Sequence, residues 1–181
     1  MADSPKLVVL KRLTTLLEAT VVTPYNYGSL DSALPATLAG VVYRGRAVVS
    51  AEMPGTFLSI LEAPKQLPSF GAGAGEARHD RWTLLINGAC PEDRANPTDP
   101  TYGLLQDVEL QLERIVKRSR GTGVEKYPTD YMLGRNAAGE HVLTSFEFQS
   151  GIVVRPTQDN PSSRAYFYIP VQVGIAKVVS D

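Results

Sequence analysis

Cysteine and histidine are scarce in this chain of 181 residues, and their scarcity excludes several kinds of site. The one cysteine, Cys90, rules out an internal disulfide framework and suits a reducing compartment. The two histidines, His79 and His141, lie far apart, at no ligand spacing from each other or from Cys90. The sequence therefore predicts neither a disulfide scaffold nor a metal centre.

The chain also has no large excess of positive or negative charge. The 18 basic and 19 acidic residues leave a formal net charge of −1. Dedicated nucleic-acid-binding proteins usually carry a strong basic excess, so that class is disfavoured, although a local basic patch stays compatible with the count. No apolar run is long enough to span a bilayer, and Lys6, Lys11 and Arg12 interrupt the first one. We expect a soluble, cytoplasmic protein without a signal peptide or a membrane partner.

Catalytic motifs are missing as well. The glycine-rich stretch FGAGAGE lacks the Lys-Ser/Thr of a phosphate-binding loop and precedes a predicted strand instead of a helix. The acidic residues form no recognisable acid–base pair, and no motif around Cys90 supplies a base. We therefore expect no enzymatic activity and no cofactor.

Two stretches show the apolar spacing of helices. Ser4 and Pro5 suit the start of a first helix, which ends near Ala19. A second, longer helix follows the polar connection that ends at Gly103, and it stops at Gly121. The apolar stripes consist of Val9, Leu13, Leu16 and Leu17 in the first helix and of Leu104, Leu105, Val108, Leu112, Ile115 and Val116 in the second.

The other regular stretches are typical of β-strands, through alternation or through residues that favour strands. In the first, VVYRGRAVV, alternation puts Val42, Arg44 and Arg46 on one face and Tyr43 on the other. Further strands are predicted over residues 56–61, 79–87, 141–154 and 165–178. Residues 1–181 thus predict a single α+β domain, in which a mixed, mainly antiparallel sheet packs against two main helices, with long loops.

The arginine pair and the long loops suggest contacts with a partner. Arg44 and Arg46 can clamp a phosphate, line a channel that carries a polyanion, or contact acidic residues of a neighbouring subunit. As solvated arginines of an edge strand, they would only discourage aggregation. Long loops rich in proline and glycine, with no catalytic residues to cover, favour contact arms that become ordered on meeting a partner.

The order of these parts resembles a known family. An N-terminal helix in LKRLTTLLEA is followed by the strand in VVYRGRAVV and by the proline-broken AEMPGTFLSILEAP. A further strand, a long amphipathic helix and a closing strand follow in RWTLLING, YGLLQDVELQLERIV and FYIPVQVGI. In this order and patterning, over most of its length, the chain resembles the tail terminator proteins of long-tailed bacteriophages, the lambda-type tail terminator family.

This resemblance implies a virion structural protein that catalyses no reaction. Such proteins form a ring, typically a homohexamer, at the head-proximal end of the tail tube, where they stop tube polymerisation and provide the surface for neck attachment. The implied partners are further copies of the chain, the tail tube protein, a head-completion or neck protein, and DNA that passes through the lumen without sequence-specific binding. The implied location is the tail of the virion, after synthesis in the host cytoplasm.

Candidate contact residues follow from this resemblance and from the loops. Arg44 and Arg46 are predicted at the subunit interface or on the channel wall. Two loops, residues 25–34 and 70–76, are predicted to contact the tube or the neck, through Tyr25, Tyr27, Leu30, Phe70 and Glu76. The alternatives are another phage neck protein (head-closure or tail-completion), a nucleic-acid-binding module, and a small enzyme with an unrecognised site.

Overall fold

The computed structural model of the chain describes residues 4–27, 34–46, 55–63, 77–120, 133–135, 141–155 and 164–178. The helices are α1 (Pro5–Glu18) and α2 (Asp99–Arg120). The strands are β1 (Val42–Arg44), β2 (Phe57–Glu62), β3 (Ala77–Ala89), β4 (Ser145–Phe148), β5 (Ile152–Val154) and β6 (Tyr166–Val178). They form one sheet in the order β1-β2-β3-β6-β4, and β5 also pairs with β6. The pair β1–β2 is parallel and the other pairs are antiparallel, which confirms the predicted α+β fold.

Local sequence explains the bounds of α1. The Ser4 hydroxyl accepts a hydrogen bond from the Leu7 amide at 3.4 Å. Pro5 takes the first helical position, where the missing N–H would have no partner inside the helix. The helix ends at Glu18, with Ala19 as its C-cap, and both predicted ends of the helix are confirmed.

The second helix begins earlier than predicted. The pattern predicts a loop up to Gly103, but α2 starts at Asp99, so that this prediction is wrong for its first turn. Asp99 interacts favourably with the positive end of the helix dipole, and Pro100 sits where no helical N–H bond is needed. The Tyr102 amide donates to the Thr98 carbonyl at 3.0 Å and so continues the helical bonding back to the preceding residue.

β1 stops at Arg44, so the prediction that Arg44 and Arg46 share one strand face is wrong. Gly45 has a φ of +75°, a left-handed conformation that glycine adopts without steric penalty and that turns the chain out of the strand. The Gly45 amide still donates to the Ile60 carbonyl at 2.9 Å. Arg46 therefore follows the strand and is not part of it.

The predicted strand over residues 141–154 is two strands, and Pro170 provides the reason. β4 pairs with residues 171–174 of β6 and β5 with residues 166–168, so neither strand pairs with Pro170. The Pro170 carbonyl accepts from the Gln149 amide at 3.0 Å, and in an antiparallel pair a residue's nitrogen and carbonyl point to the same neighbour. The side of β6 that faces β4 and β5 thus lacks one donor at Pro170, and the neighbouring strand breaks there.

Both helices pack on one face of the sheet, which we call the inner face. α1 lies against β1 and α2, and α2 lies against β3, β4, β5 and β6. The apolar stripes of the helices form one core with the side chains that point inward from the strands. Buried members of this core include Val9, Leu13, Leu17, Trp82, Leu84, Ile86, Leu104, Val108, Leu112, Phe167, Ile169 and Val171. Within the described residues, neither helix has the length and apolar character that crossing a membrane requires.

Candidate functional site

The outer face of the sheet, opposite the helices, is the first candidate surface. Tyr43, Phe57 and Ala89 form a small apolar cluster on this face, separate from the core, and Phe57 and Ala89 are buried within it. Ile152 is 52% exposed and Tyr166 is 37% exposed on the same face. No helix of the described part of the chain packs here. Exposed apolar side chains next to an apolar cluster are typical of a surface that meets a partner.

The basic edge, which we define as β1 with Arg44 and Arg46, is the second candidate surface. Both arginines are exposed. The Arg46 guanidinium carbon lies 4.5 Å from the centroid of the Tyr43 ring, within the range of a cation–π contact. The Arg46 carbonyl accepts a hydrogen bond from the Ser59 hydroxyl at 2.7 Å, which holds the segment after Gly45 against β2. The Arg46 guanidinium therefore lies on the outer face with Tyr43, whereas Arg44 is opposite Ile60 and occupies an inner-face position of β1.

The acidic edge, which we define as β4 and β5 with Glu109, Glu113 and Glu147, lies at the other side of the sheet. The Glu109 carboxylate accepts from the Gly151 amide at 2.7 Å, between β4 and β5. Glu113 is exposed one helical turn further along the same side of α2. Glu147 is exposed in β4, where it is opposite Gln172 of β6. Exposed glutamates thus lie at this side of the sheet and exposed arginines at the other.

The aromatic arm, residues 20–27, is the third candidate surface. The rings of Tyr25 and Tyr27 contact edge to face, with centroids 4.8 Å apart. The Tyr27 hydroxyl donates to the Pro91 carbonyl at 3.0 Å, and Thr23 donates through its amide and its hydroxyl to Asp107 at 2.7 and 2.9 Å. Tyr27 is buried and so anchors the arm, whereas Tyr25 is only half-buried and is the better placed of the two for an external contact.

The structure does not bring the predicted residues into one site. Tyr27 bonds to the chain just beyond the end of β3, near the start of β2, whereas Arg44 is opposite Ile60, further along β2. The predicted contact residues Leu30, Phe70 and Glu76 lie outside the described residues.

Cys90 belongs to the anchor of the arm. Its Sγ atom lies 3.7 Å from the Thr101 hydroxyl, and burial raises the pKa of the thiol, so the neutral form is favoured. A nucleophilic or metal-binding cysteine needs the opposite shift, towards the thiolate. Among the described residues, no three His, Cys, Asp or Glu side chains converge in a way that could hold a metal ion.

The anchor gives a prediction for alkaline pH. Burial raises the pKa of Tyr27, and the neighbouring Cys90 raises it further, so the folded chain keeps the phenol neutral. The stabilisation from this shift is fully present below about pH 10, where the unfolded chain also keeps tyrosine neutral, and it is lost as the pH rises further. Tyr27→Phe removes both the titration and the hydrogen bond to Pro91. We expect a loss of about 1 kcal/mol in the free energy of unfolding at pH 7 and a shallower fall above about pH 10.

Urea denaturation between pH 7 and pH 11 measures both effects. Tyr102→Phe is the matched control, because Tyr102 is 56% exposed, and it should follow the wild type at every pH. Tyr27→Phe also removes a hydrogen bond that lowers the pKa of Cys90, so the difference between the curves reports Tyr27 together with its coupling to Cys90. Parallel curves for Tyr27→Phe and the wild type above pH 10 would contradict the prediction.

Neither a protein-family model nor a curated protein sequence matches this chain.

Sequence reasoning located the basic edge but missed the acidic edge. A signal for it was available, since SFEF places a glutamate on the face opposite two phenylalanines, and Glu109 and Glu113 are one helical turn apart. What the sequence lacked was the position of α2 above β4 and β5, which brings these glutamates to one side of the molecule.

Proposed function

We propose that the chain is the tail terminator of a long-tailed bacteriophage. A ring of its copies, in our proposal a hexamer, binds the head-proximal end of the tail tube, stops the addition of tube subunits, and provides the surface for neck attachment. The protein catalyses no reaction and takes no cofactor. Its action is steric, because one face of the ring matches the growing end of the tube and the other does not.

One observation carries the proposal, namely that both helices of the described part of the chain pack on a single face of the sheet. The outer face retains exposed Ile152 and Tyr166 beside the cluster of Tyr43, Phe57 and Ala89. A surface of this kind, with charges of opposite sign on its two flanks, fits a subunit that is completed by neighbours. The order of helices and strands along the chain, which resembles the tail terminator family, agrees with this role.

The remaining candidate residues receive roles within this proposal. Arg44 and Arg46 lie at a subunit interface or line the lumen through which DNA passes without sequence-specific binding. Tyr25, half-buried in the arm, and Leu30, Phe70 and Glu76, in the stretches predicted as loops, contact the tube or the neck. The assembled protein belongs to the tail of the virion, after synthesis in the host cytoplasm.

Electron microscopy of a phage that lacks this gene tests the proposal. We expect overlong tails that are detached from filled heads, and tails of normal length and joined to heads when the wild-type chain is supplied in trans. Tails of normal length beside unjoined heads would instead support the rival role in head closure or tail completion. Normal, infectious particles from the deletion phage would overturn a role in assembly altogether. A nucleic-acid-binding module would be indicated by DNA binding that weakens steeply with salt.

A further inference from the structure

Among the residues that the structure describes, the sheet ends in two edges that differ in construction. On one side β1 is a strand of three residues, parallel to β2. On the other side β4 and β5 are antiparallel to β6 and are interrupted opposite Pro170. An edge strand presents backbone donors and acceptors that another chain can pair with. Because the two edges are unlike, contact between them would join copies head to tail and would use a different patch on each copy.

The charges on the edges favour the head-to-tail arrangement over a symmetric one. Arg44 and Arg46 are exposed on the basic edge, and Glu113 and Glu147 are exposed on the acidic edge. Two basic edges or two acidic edges would repel each other, whereas one of each sign attracts. Arg155, also exposed, follows the last residue of β5, on the far side of the strand break from Glu147, so it does not interrupt the glutamates.

We infer that the basic edge of one copy docks on the acidic edge of the next copy, with Arg44 and Arg46 facing Glu113 and Glu147. This inference rests on the proposed function, which requires copies of the chain to form a ring, and it names the two patches that meet. The partner is a second copy of this chain. Glu109 is not among the docking side chains, since its carboxylate already holds the Gly151 amide.

Two charge-reversed variants test the docking. The first carries Arg44→Glu and Arg46→Glu, so both of its edges are acidic. The second carries Glu113→Lys and Glu147→Lys, so both of its edges are basic. Each variant alone should need a concentration more than about tenfold higher than the wild type to form rings, because every contact then joins like charges. An equimolar mixture should form rings again, with the two variants alternating and an even number of subunits.

Size-exclusion chromatography with light scattering measures the purified proteins, and native mass spectrometry counts each variant in a ring. The same pair can be supplied to the deletion phage, where neither variant alone should restore the titre and both together should. All four substituted side chains are exposed, and circular dichroism checks that each variant is folded. Arg94→Glu, an exposed reversal in the connection between β3 and α2 instead of on either edge, controls for charge reversal as such and should assemble like the wild type.

The possible failures separate the docking from the proposed function. If the wild type forms rings and each variant alone does so equally well, the docking is overturned and the ring remains. If the arginine variant loses titre and the glutamate variant does not rescue it, the arginines act elsewhere, for example on the channel wall, and the docking is again overturned. A wild-type chain that neither forms rings nor restores the deletion phage would overturn the proposed function, and the docking with it.

Discussion

Replacing Trp82 with alanine is expected to lower the free energy of unfolding by about 3–5 kcal/mol. Trp82 is 1% exposed and is the largest side chain in the core. It points to the inner face from β3, opposite Val173 of β6, and the Lys6 ammonium lies 4.9 Å from the centroid of its ring. Truncation removes the apolar burial and leaves a cavity that the sheet and helices cannot fill by relaxing.

Urea denaturation followed by far-ultraviolet circular dichroism measures this loss, since the chain has no other tryptophan to serve as a fluorescent probe. Trp82→Phe is the matched variant, and its free energy of unfolding should fall clearly less than that of Trp82→Ala. It keeps most of the ring volume and removes the Nε1–H group, which is buried without a hydrogen-bond partner in the described part of the chain. Tyr102→Ala, at an exposed position, should change stability by no more than about 0.5 kcal/mol. A loss below about 1 kcal/mol for Trp82→Ala would contradict the position of Trp82 in the core.

Gly88→Ala is the second substitution with a large expected effect, and the sign of its change in the free energy of unfolding is informative. A Cβ atom at Gly88 would lie 2.4 Å from Cζ of Phe167 and 2.5 Å from Cδ2 of Leu58. Both neighbours are fully buried and cannot move aside. We expect the free energy of unfolding to fall by about 1–3 kcal/mol, because the added methyl group overpacks the core. In open space the same substitution would instead stabilise by about 0.4–1 kcal/mol, because alanine restricts the unfolded chain.

Gly103→Ala supplies the matched control within the same protein. Gly103 lies in α2 and has no atom within 4 Å of an added Cβ, so alanine should stabilise by about 0.5–1 kcal/mol. Adding Phe167→Leu to Gly88→Ala removes the ring atoms that clash, and the double-mutant cycle should give a favourable interaction energy of about 0.5–3 kcal/mol. Stabilisation by Gly88→Ala alone would contradict the close packing of β3 on its neighbours.

Several elements could be predicted from the sequence because their determinants are local. Ser4 and Pro5 define the start of α1 through groups within one helical turn. The spacing of apolar residues predicts α2, β-forming residues predict β2, the apolar residues of RWTLLIN predict β3, and alternation predicts β6. For the candidate site, the arginines of VVYRGR were identified as a basic feature, but Arg46 lies outside the strand and contacts the Tyr43 ring, so it does not share a face with Arg44.

Other features could not be predicted, because each depends on a partner distant in the chain. The break between β4 and β5 is opposite Pro170, and only the register of β6 reveals that the proline nitrogen faces this edge. The Arg12 guanidinium donates to the carbonyls of Leu133 and Arg135, which lie 121 and 123 residues further along the chain. The sequence places Tyr27 in a loop, yet its side chain is buried and its hydroxyl donates a hydrogen bond to the Pro91 carbonyl.

The sequence by itself determined the class of fold, the inner stripe of each helix, and the presence of two nearby arginines. Caps, turns and side-chain periodicity depend on residues that are close in the sequence, so the local sequence determines them. The tertiary structure alone decided which strands lie at the edges and that Glu109, Glu113 and Glu147 come to the edge opposite the arginines. Strand order and helix placement follow from the burial of the whole core, in which contacts between distant residues outweigh local preference.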